Sequence, residues 1–444
     1  MNTSEASKAG KVFDIILLVL QFVLSGFLIF ITFKILPMKF WVLALILLVL
    51  LWLISLFTLK LLQLNTRVKR VVSRIFTVII CIVLALVSFV GYEGITTLSN
   101  ITGGNKETHV VSTIVLKESG YEKINDLDGK TIGYVENIDK ERTQKAIQAI
   151  QENEKVNAQT TSYESFEALH SALQESEVDA ILLNEAYRGS ILDINGNFDN
   201  ETKVIYTYEE EKEVVVADKV KDITDDSFNI FISGIDVYGS VSTVSRSDVN
   251  MIVTVNPKTR TILMTSIPRD YYVTLPSFNT KDKLTHAGIY GVNESMNTLA
   301  NLFNTKINYF AKVNFTSLIK IVDALGGIQV ENTQEFVSLH DQTYYPAGLI
   351  NLDGVTALEF ARERYALSGG DGDRIKNHQK ILTAILNKAM SPAIISNYSS
   401  LLKSVDGSFE TNLTSDEIQR LIQSQLNEGG SWTFLQSTVN GSGR

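Results

Sequence analysis

Hydrophobic residues form three long uninterrupted runs near the start of the chain, whereas they alternate with polar residues over the rest. None of the three runs contains a charged side chain, and each approaches the roughly 20 apolar residues that cross a bilayer as a helix. A cleaved signal peptide explains the first run less well than an anchor does, because the run is long and lacks a small-residue cleavage site. The pattern therefore predicts a membrane region over residues 1–104 with three transmembrane helices, at about 15–33, 40–59 and 75–92.

Basic residues beside these runs predict how the chain crosses the membrane, because cytoplasmic loops carry an excess of Lys and Arg. If the N-terminus is cytoplasmic, the short outer loop carries only Lys34 and Lys39. The inner segments then carry Lys8, Lys11, Lys60, Arg67, Lys69, Arg70 and Arg74. We therefore expect a multi-pass membrane protein whose large C-terminal part is extracellular.

Short alternating segments predict a small α/β domain over residues 105–217, after a linker rich in Gly, Ser, Thr and Asn. Strands are expected at 110–117, 130–136, 160–165 and 178–185, and helices at 139–154 and 165–176. Residues 121–135 and the helix that follows them resemble one lobe of an extracellular solute-binding protein. Either a binding domain or an accessory packing domain is compatible with this pattern.

A second α/β pattern predicts a larger domain over residues 218–444, with a central mixed sheet flanked by helices. Alternating apolar residues indicate strands at 227–236, 247–256, 260–273, 307–315 and 432–439, and the turn at 257–259 predicts a hairpin. Helical spacing of apolar residues is found at 294–304, 315–327, 352–365, 373–390 and 414–427.

Composition narrows the possible functions. The formal net charge of −9 argues against general binding to nucleic acid. The only cysteine, Cys81, lies in the third apolar run, so the soluble part has neither a disulfide framework nor a thiol nucleophile. This composition suits a bacterial cell envelope. Motifs of serine hydrolases, P-loop enzymes and dinucleotide-binding folds are absent, and the five histidines are not at metal-ligand spacing.

Arginine and aspartate residues lie at the ends of several predicted strands. Asp236 ends one strand, Arg246 and Asp248 begin the next, and Arg269 follows Pro268 where another finishes. Each of them alone is more commonly a surface charge in a turn. Ligands, however, usually bind at strand ends in open α/β sheets. Together these residues suggest a hard cation held by carboxylates and a phosphate held by guanidinium groups.

Further basic residues lie close together late in the second domain. Arg362 and Arg364 are two positions apart and cannot share one face of a helix, so either the helix ends there or one of them is structural. The glycine-rich loop that follows favours a helix end. Arg374 would then lie at the start of the next helix, where backbone N–H groups favour an anion.

The helices near these arginines are apolar around most of their circumference. Ordinary core packing is the commoner reason for such a pattern. A ligand that is anionic at one end and long and apolar at the other would nevertheless need both features side by side. In an envelope protein, that ligand could be a lipid phosphate, and the residues expected to contact its chain are Leu318, Ile319, Val322 and Leu325.

A series of motifs in the second domain resembles the LytR-CpsA-Psr family of envelope glycopolymer transferases. The motifs are FISGID (231–236), SRSDVNMIVTVNP (245–257), TSIPRDYYV (265–273), KLTHAGIYG (283–291), VDALGGIQV (322–330), LDGVTALEFARERY (352–365) and GDGDRIKNHQK (370–380). The three expected spans and the inserted domain are similar to the streptococcal capsule-locus members. The resemblance implies a phosphotransferase that moves a glycopolymer, expected to be capsular polysaccharide, from an undecaprenyl pyrophosphate carrier to a peptidoglycan hydroxyl through a phosphodiester bond.

The resemblance also implies roles for particular residues. Asp236 and Asp248 would hold or support Mg²⁺, and a carboxylate, either Asp248 or Asp371, would act as the base toward the acceptor hydroxyl. Phosphoryl transfer depends largely on positioning and charge neutralisation, so these groups can suffice without a covalent nucleophile. The residues expected to bind the pyrophosphate are Arg246, Arg269, Arg362, Arg364 and Arg374.

Two further polar positions match the family, and a third departs from it. Lys283 and Gln379 fall at positions expected to contact the pyrophosphate or the lipid. Where the family usually has two glutamines, this chain has His378 followed by Gln379.

Two other functions are compatible with the same residues. A membrane-anchored sensor or regulator would bind the lipid-linked saccharide without turning it over. A polyprenyl pyrophosphate phosphatase would use water in place of the sugar hydroxyl. The expected partners are the lipid-linked glycan, the peptidoglycan acceptor and the membrane, and the cytoplasmic segments could contact capsule-assembly proteins.

Overall fold

A computed structural model describes residues 8–35, 38–63, 67–101, 106–214, 219–235, 241–391, 405 and 407–441 of the 444-residue chain. Three helices form its N-terminal part, and they are α1 (Lys8–Ile35), α2 (Met38–Gln63) and α3 (Arg67–Ile101). Helices α1 and α3 are held together where Arg74 donates from Nε to Oδ1 of Asp14 over 2.7 Å.

Two of these helices are long and apolar enough to cross a membrane, by length and composition. The two stretches are Val12–Lys34 and Val71–Tyr92. Within the described part of α2, the apolar stretch Val42–Phe57 is shorter than a span requires. The prediction of three spans therefore holds for two helices of the described chain.

The first α/β unit contains a five-stranded sheet with the strand order β3-β2-β4-β1-β5. Strands β2, β3 and β4 are parallel, and β1 pairs antiparallel with both β4 and β5. The strands are β1 (Lys106–Leu116), β2 (Thr131–Val135), β3 (Gln159–Tyr163), β4 (Ala180–Asn184) and β5 (Thr202–Glu213). Its helices are α4 (Lys140–Glu152), α5 (Phe166–Gln174), α6 (Arg188–Ile194) and α7 (Phe198–Glu201).

The second unit is built on a six-stranded mixed sheet with the order β16-β11-β6-β7-β8-β17. Strands β6, β7 and β8 form an antiparallel meander, while β11 runs parallel to β6 and β17 runs parallel to β8. The strands are β6 (Phe228–Ile235), β7 (Ser247–Asn256), β8 (Thr261–Ile267), β11 (Tyr309–Val313), β16 (Glu410–Thr411) and β17 (Thr433–Thr438). The mixed sheet and the hairpin between β7 and β8 match the predictions.

The prediction of one continuous strand over 260–273 is wrong, because two separate strands share this range. Strand β8 ends before Pro268, which has no N–H to donate to a ladder. The chain then turns and β9 (Tyr272–Leu275) pairs with β10 (Thr280–Lys283) in a separate ribbon. This break turns Arg269 and Asp270 out of the sheet and toward its edge.

Helices cover both faces of the second sheet. They are α8 (Leu284–Ala287), α9 (Val292–Phe303), α10 (Phe315–Ala324), α11 (Gly354–Arg362), α12 (Asp371–Ala389) and a C-terminal helix (Ser415–Glu428). Capping boxes at Asn314, Asp353 and Thr414 determine where three of them begin. The buried side chains of Phe231 and Phe310 form one core with α9.

A smaller layer of short strands lies against helices α10, α11 and α12. These strands pair as two antiparallel ribbons, each formed within the described residues. They are β12 (Ile328–Asn332) with β15 (Gly348–Leu352), and β13 (Phe336–Val337) with β14 (Tyr344–Tyr345).

The two α/β units contact each other through strand β1. Val244 donates its backbone N–H to the carbonyl of Thr108 over 3.0 Å. The carboxylate of Glu107 accepts from the backbone N–H of Val292, at the start of α9, over 2.6 Å. Gly291 allows this approach, because a Cβ there would lie 2.3 Å from Oε2 of Glu107. The predicted boundaries between residues 104 and 105 and between 217 and 218 fall outside the described residues.

Candidate functional site

A small polar pocket lies where β7 begins, β8 ends and α12 begins. The antiparallel register of β7 and β8 ends where Asn250 pairs with Ile267, and Asp248 and Arg269 each lie two residues beyond that pairing. The charged and titratable residues that line the pocket are Asp248, Arg269, Asp371, Arg374 and His378.

Asp248 and Arg269 form an ion pair at the sheet edge. Nη1 of Arg269 donates to Oδ2 of Asp248 over 3.0 Å, and the Thr285 hydroxyl donates to Oδ1 over 3.2 Å. Partial burial opposes the charged form of Arg269, but the adjacent Asp248 carboxylate outweighs it and raises the pKa of the guanidinium. Both oxygens of Asp248 are thus engaged, and Arg269 is held as a cation at the pocket.

Asp270 and Lys283 extend this charged edge. Nζ of Lys283 lies 3.1 Å from Oδ1 of Asp270, and Nε of Arg269 lies 3.9 Å from Oδ2 of Asp270. Burial alone would raise the pKa of Asp270, but the hydrogen bond from Lys283 and the charges of Lys283, Arg269 and Arg364 lower it. Lys283 reaches this position because it ends the β9–β10 ribbon.

The first turn of α12 supplies the opposite wall. Nη2 of Arg374 lies 2.5 Å from Oδ1 of Asp371, and Nε of Arg364 lies 3.9 Å from the same oxygen. A carboxylate in the first turn of a helix is favoured by the helix dipole. Helix α11 ends at Arg362, within the helical stretch predicted over 352–365, so Arg364 lies in the loop between the two helices.

Glu363 determines the path of that loop, although it is not among the predicted site residues. Its buried carboxylate accepts backbone N–H groups of Leu339, Arg364 and Ala366 over 2.8, 2.8 and 2.9 Å. These hydrogen bonds lower the pKa of Glu363 although burial opposes ionisation. An acidic residue between two arginines was the signal that could have identified it.

The structure brings together only some of the predicted arginines. Arg269 and Arg374 line the pocket and Arg364 lies beside Asp371. Arg362 instead lies over the ring of Phe315, with Cζ 4.7 Å from the ring centroid, and pairs with Glu359.

Arg246 is turned away from the pocket toward the first α/β unit. Its Nη1 and Nη2 each lie 3.0 Å from Oδ2 of Asp193, and Nη2 donates to the Ser190 hydroxyl over 3.0 Å. Both partners belong to α6. Five arginines were predicted to converge, and the structure places three of them at one site.

His378 and Gln379 have different environments although they are adjacent in α12. His378 lines the pocket, and its Nε2 lies 2.9 Å from the carbonyl of Ala361. Burial, together with the charge of Arg374, lowers the pKa of His378 to about 4, so the ring is neutral at physiological pH. A neutral ring that donates from Nε2 leaves Nδ1 as an acceptor.

Gln379 points away from the pocket into the interface between α12 and the sheet. Its buried amide donates from Nε2 to the Ser266 hydroxyl over 2.9 Å and to the Ser437 carbonyl over 2.7 Å. These contacts connect α12 to β8 and β17, beneath the pocket floor.

The residues expected to contact a lipid chain pack against helices α11 and α12. Val322 and Leu325 are buried in the core that includes Phe360, and Leu318 is half-buried against it. Ile319 is also half-buried, and its carbonyl oxygen would lie 2.4 Å from a Cβ added at Gly354. The close approach of α10 and α11 at this glycine fills the space between the helices.

Only one of the two predicted metal ligands can be described. Asp236 lies outside the described residues, and within them no group of three or more His, Cys, Asp or Glu side chains is arranged to hold a metal ion. The donors that Asp248 and Thr285 place at the pocket are oxygens, which suit a hard cation such as Mg²⁺.

Known proteins share this domain. A protein of Enterococcus faecalis named polyisoprenyl-teichoic acid–peptidoglycan teichoic acid transferase TagU is 34% identical over 197 residues, or 44% of this chain and 64% of that protein. A Bacillus licheniformis protein of the same name is 33% identical over 219 residues, or 49% of this chain and 70% of that protein. The solved structure of Bacillus subtilis TagU aligns with 30% identity and a TM-score of 0.40, covering 50% of this chain and 87% of that chain.

Two family models match this chain, and their ranges overlap over residues 192–224. The chain spans just under two thirds, 64%, of the Enterococcus relative. A model described as NMT1/THI5 like matches residues 103–224. The model of the LytR_cpsA_psr family matches residues 192–444, more than half of the chain, and this protein therefore belongs to the LytR-CpsA-Psr family.

Proposed function

We propose that this protein is a membrane-anchored phosphotransferase that attaches a glycopolymer to peptidoglycan. The donor is an undecaprenyl pyrophosphate-linked glycan, and the product is a phosphodiester to a peptidoglycan hydroxyl. The observation that carries the proposal is the convergence of Arg269, Arg364 and Arg374 around Asp248 and Asp371 at one sheet edge. Relatives named as transferases that act between a polyisoprenyl-linked polymer and peptidoglycan support it. Capsular polysaccharide is our proposal for the polymer, because the N-terminal helices and inserted domain resemble capsule-locus members.

Charge neutralisation by these cations suits transfer between phosphate esters. The acceptor oxygen forms a bond to the phosphorus that carries the glycan, the bond from this phosphorus to the bridging oxygen breaks, and the polyprenyl phosphate leaves with the electron pair. Negative charge develops on the phosphate oxygens during this step, and guanidinium groups stabilise it. Arg269 and Arg374 already line the pocket, each beside a carboxylate, so little reorganisation is needed.

Three carboxylates divide the remaining tasks in this proposal. Asp248, together with Asp236, would hold Mg²⁺, which supplies further positive charge to the phosphate oxygens when bound. The ion pairs of Asp371 with Arg364 and Arg374 both involve Oδ1. We assign the proton of the acceptor hydroxyl to Oδ2 of Asp371, which lines the same pocket.

Membrane anchoring is part of the proposal. Only 22% of the apolar stretch of α1 and 28% of that of α3 are buried, so these helices present most of their apolar surface outward. Exposed apolar surface of this extent is rare on soluble proteins and suits a bilayer. We propose a multi-pass membrane protein with the soluble units outside and cytoplasmic segments available to capsule-assembly proteins.

A sensor that binds the lipid-linked glycan without turnover is the second candidate. Its support is the match of residues 103–224 to the NMT1/THI5-like model, since part of this unit resembles a solute-binding lobe. The same pocket would then bind the pyrophosphate but release no product.

The test uses the full chain in nanodiscs with undecaprenyl pyrophosphate-linked saccharide, a peptidoglycan fragment and Mg²⁺. Release of undecaprenyl phosphate and saccharide bound to peptidoglycan are measured for the wild type, Arg374→Ala and a matched control, Arg420→Ala. Arg420 is also an ion-paired helical arginine, with Nη2 2.6 Å from Asp222, but it lies on the C-terminal helix. We expect transfer by the wild type and the control, and loss of transfer in Arg374→Ala.

Other outcomes assign other functions. Binding of the lipid without any product favours the sensor. Release of phosphate products without saccharide on peptidoglycan favours a phosphatase. Full transfer by Arg374→Ala removes the pocket from the reaction.

A further inference from the structure

Arg246 is the arginine of the predicted set that contacts the other α/β unit. It lies two residues before Asp248, which lines the pocket. Its guanidinium nevertheless turns to α6, where Asp193 accepts from both Nη1 and Nη2 over 3.0 Å and Ser190 accepts from Nη2 over 3.0 Å. Both terminal nitrogens of this arginine are therefore engaged by the accessory unit.

A glycine makes this contact possible. A Cβ added at Gly189 would lie 3.0 Å from Cζ of Arg246 and 3.1 Å from its Nε, so the guanidinium rests against bare backbone of α6. A methyl group at this position would push the end of the arginine side chain away, while the helix itself would tolerate alanine well.

The contact leaves part of the arginine unsatisfied. Nε of Arg246 is buried and has no hydrogen-bond partner among the described residues. A buried N–H without a partner costs free energy that a better acceptor would recover. The partner carboxylate, in contrast, is 70% exposed, and exposed ion pairs are weak. The guanidinium can therefore exchange Asp193 for a stronger anion at little cost.

We propose that Asp193 competes with the phosphate of the substrate for Arg246, so that the accessory unit sets the affinity of the site. This inference rests on the proposed function, because it requires a phosphate at the pocket beside Asp248. In the resting arrangement, Asp193 and Ser190 hold the arginine. With a pyrophosphate present, Arg246 turns back and its Nε and Nη groups donate to the phosphate oxygens as a fork.

The test measures binding of inorganic pyrophosphate to the full chain in nanodiscs by calorimetry. Asp193→Asn keeps the shape but removes the competing charge, and we expect it to lower the dissociation constant by about two- to fivefold, the range of an exposed ion pair. Gly189→Ala displaces the guanidinium by contact and should shift the constant in the same direction. The matched control is Asp199→Asn, because Asp199 pairs with Arg188 inside the accessory unit.

A double-variant comparison shows whether the effect passes through Arg246. In an Arg246→Gln background, Asp193→Asn should leave the dissociation constant unchanged. A weaker affinity in Asp193→Asn would mean that Asp193 positions Arg246 productively, and it would overturn the inference, as would an unchanged affinity. An equal gain in the Arg246→Gln background would also overturn it.

Failure of the proposed function has a different signature. If the wild type and Arg374→Ala bind pyrophosphate alike, the pocket is not the phosphate site, and both proposals fall. If Arg374→Ala weakens binding but Asp193→Asn changes nothing, only the competition by Asp193 is refuted.

Discussion

Asp248 and Arg269 face each other across strands β7 and β8, with Nη1 of the arginine 3.0 Å from Oδ2 of the carboxylate. The two residues lie just beyond the last pairing of the hairpin, which joins Asn250 and Ile267. A short turn at the far end of the hairpin thus determines which charges meet at the pocket.

Replacing Asp248 by asparagine should abolish most transfer while the fold remains. The change removes the charge that holds Arg269 and the proposed ligand of Mg²⁺. Loss of a group that organises transition-state charge costs about 100-fold or more in kcat. The measurement is the initial rate of undecaprenyl phosphate release against Mg²⁺ concentration. Thr285→Val, which removes only the hydroxyl bond to Asp248, serves as the milder comparison, and equal losses in both variants would contradict a special role for the carboxylate.

Replacing Glu363 by glutamine should disturb the loop that carries Arg364. The carboxylate accepts three backbone N–H groups while buried, and an amide can satisfy them only in part. We expect a loss of about 1–3 kcal/mol in the free energy of unfolding and weaker pyrophosphate binding. Denaturant titration and calorimetry measure the two effects. Glu335→Gln alters an exposed glutamate that bonds Tyr344, and it should change neither quantity.

Gln379→Leu should lower stability more than it lowers pyrophosphate affinity. The substitution leaves the buried Ser266 hydroxyl and the carbonyl of the exposed residue Ser437 without the amide donor of Gln379. Buried polar groups that lose a partner cost about 1–3 kcal/mol each. Denaturant midpoints of Gln379→Leu and of Gln148→Leu, an exposed position on α4, give the comparison. A large loss of affinity at unchanged stability would place Gln379 at the ligand instead.

Acid should destabilise the protein between about pH 6.5 and pH 4 through two histidines. In the folded state, the pKa of His378 and of His109 is lowered to about 4, and burial is the largest cause of the shift in both residues. In the unfolded chain, a histidine titrates near 6.5, so the unfolded state binds more protons in this window and stability falls as pH falls. Each residue should contribute on the order of 1–2 kcal/mol of this loss by pH 5.

Unfolding temperatures measured from pH 7 to pH 5 test this dependence. His378→Gln and His109→Gln should each show a smaller decrease than the wild type, because neither glutamine titrates. His340→Gln, at an exposed position, is the control and should follow the wild type. Equal decreases in all four proteins would show that other groups govern the acid sensitivity.

Much of the local structure followed from residue patterns. Strand β7 occupies the predicted residues 247–256, and α11 ends at Arg362, near the helix end that the glycine-rich loop favoured. Alternation of side chains and helix capping are local effects, so a short stretch of sequence reveals them. Pro268 is a sequence signal for the end of β8, since proline cannot donate a hydrogen bond to a ladder. The alternation of apolar residues on both sides of it nevertheless led to the prediction of one long strand.

The sequence by itself determined the family, because the motifs between residues 231 and 380 and their order can be read directly from it. It also determined the fold class, through alternating strand and helix patterns. Only the tertiary structure decided which cations share a site. Arg269, Arg364 and Arg374 meet because a hairpin register and two helix ends bring them to one edge, whereas Arg246 meets Asp193, which is 53 positions away in the chain. Side-chain direction at that distance depends on how separate units pack, and no local pattern encodes it.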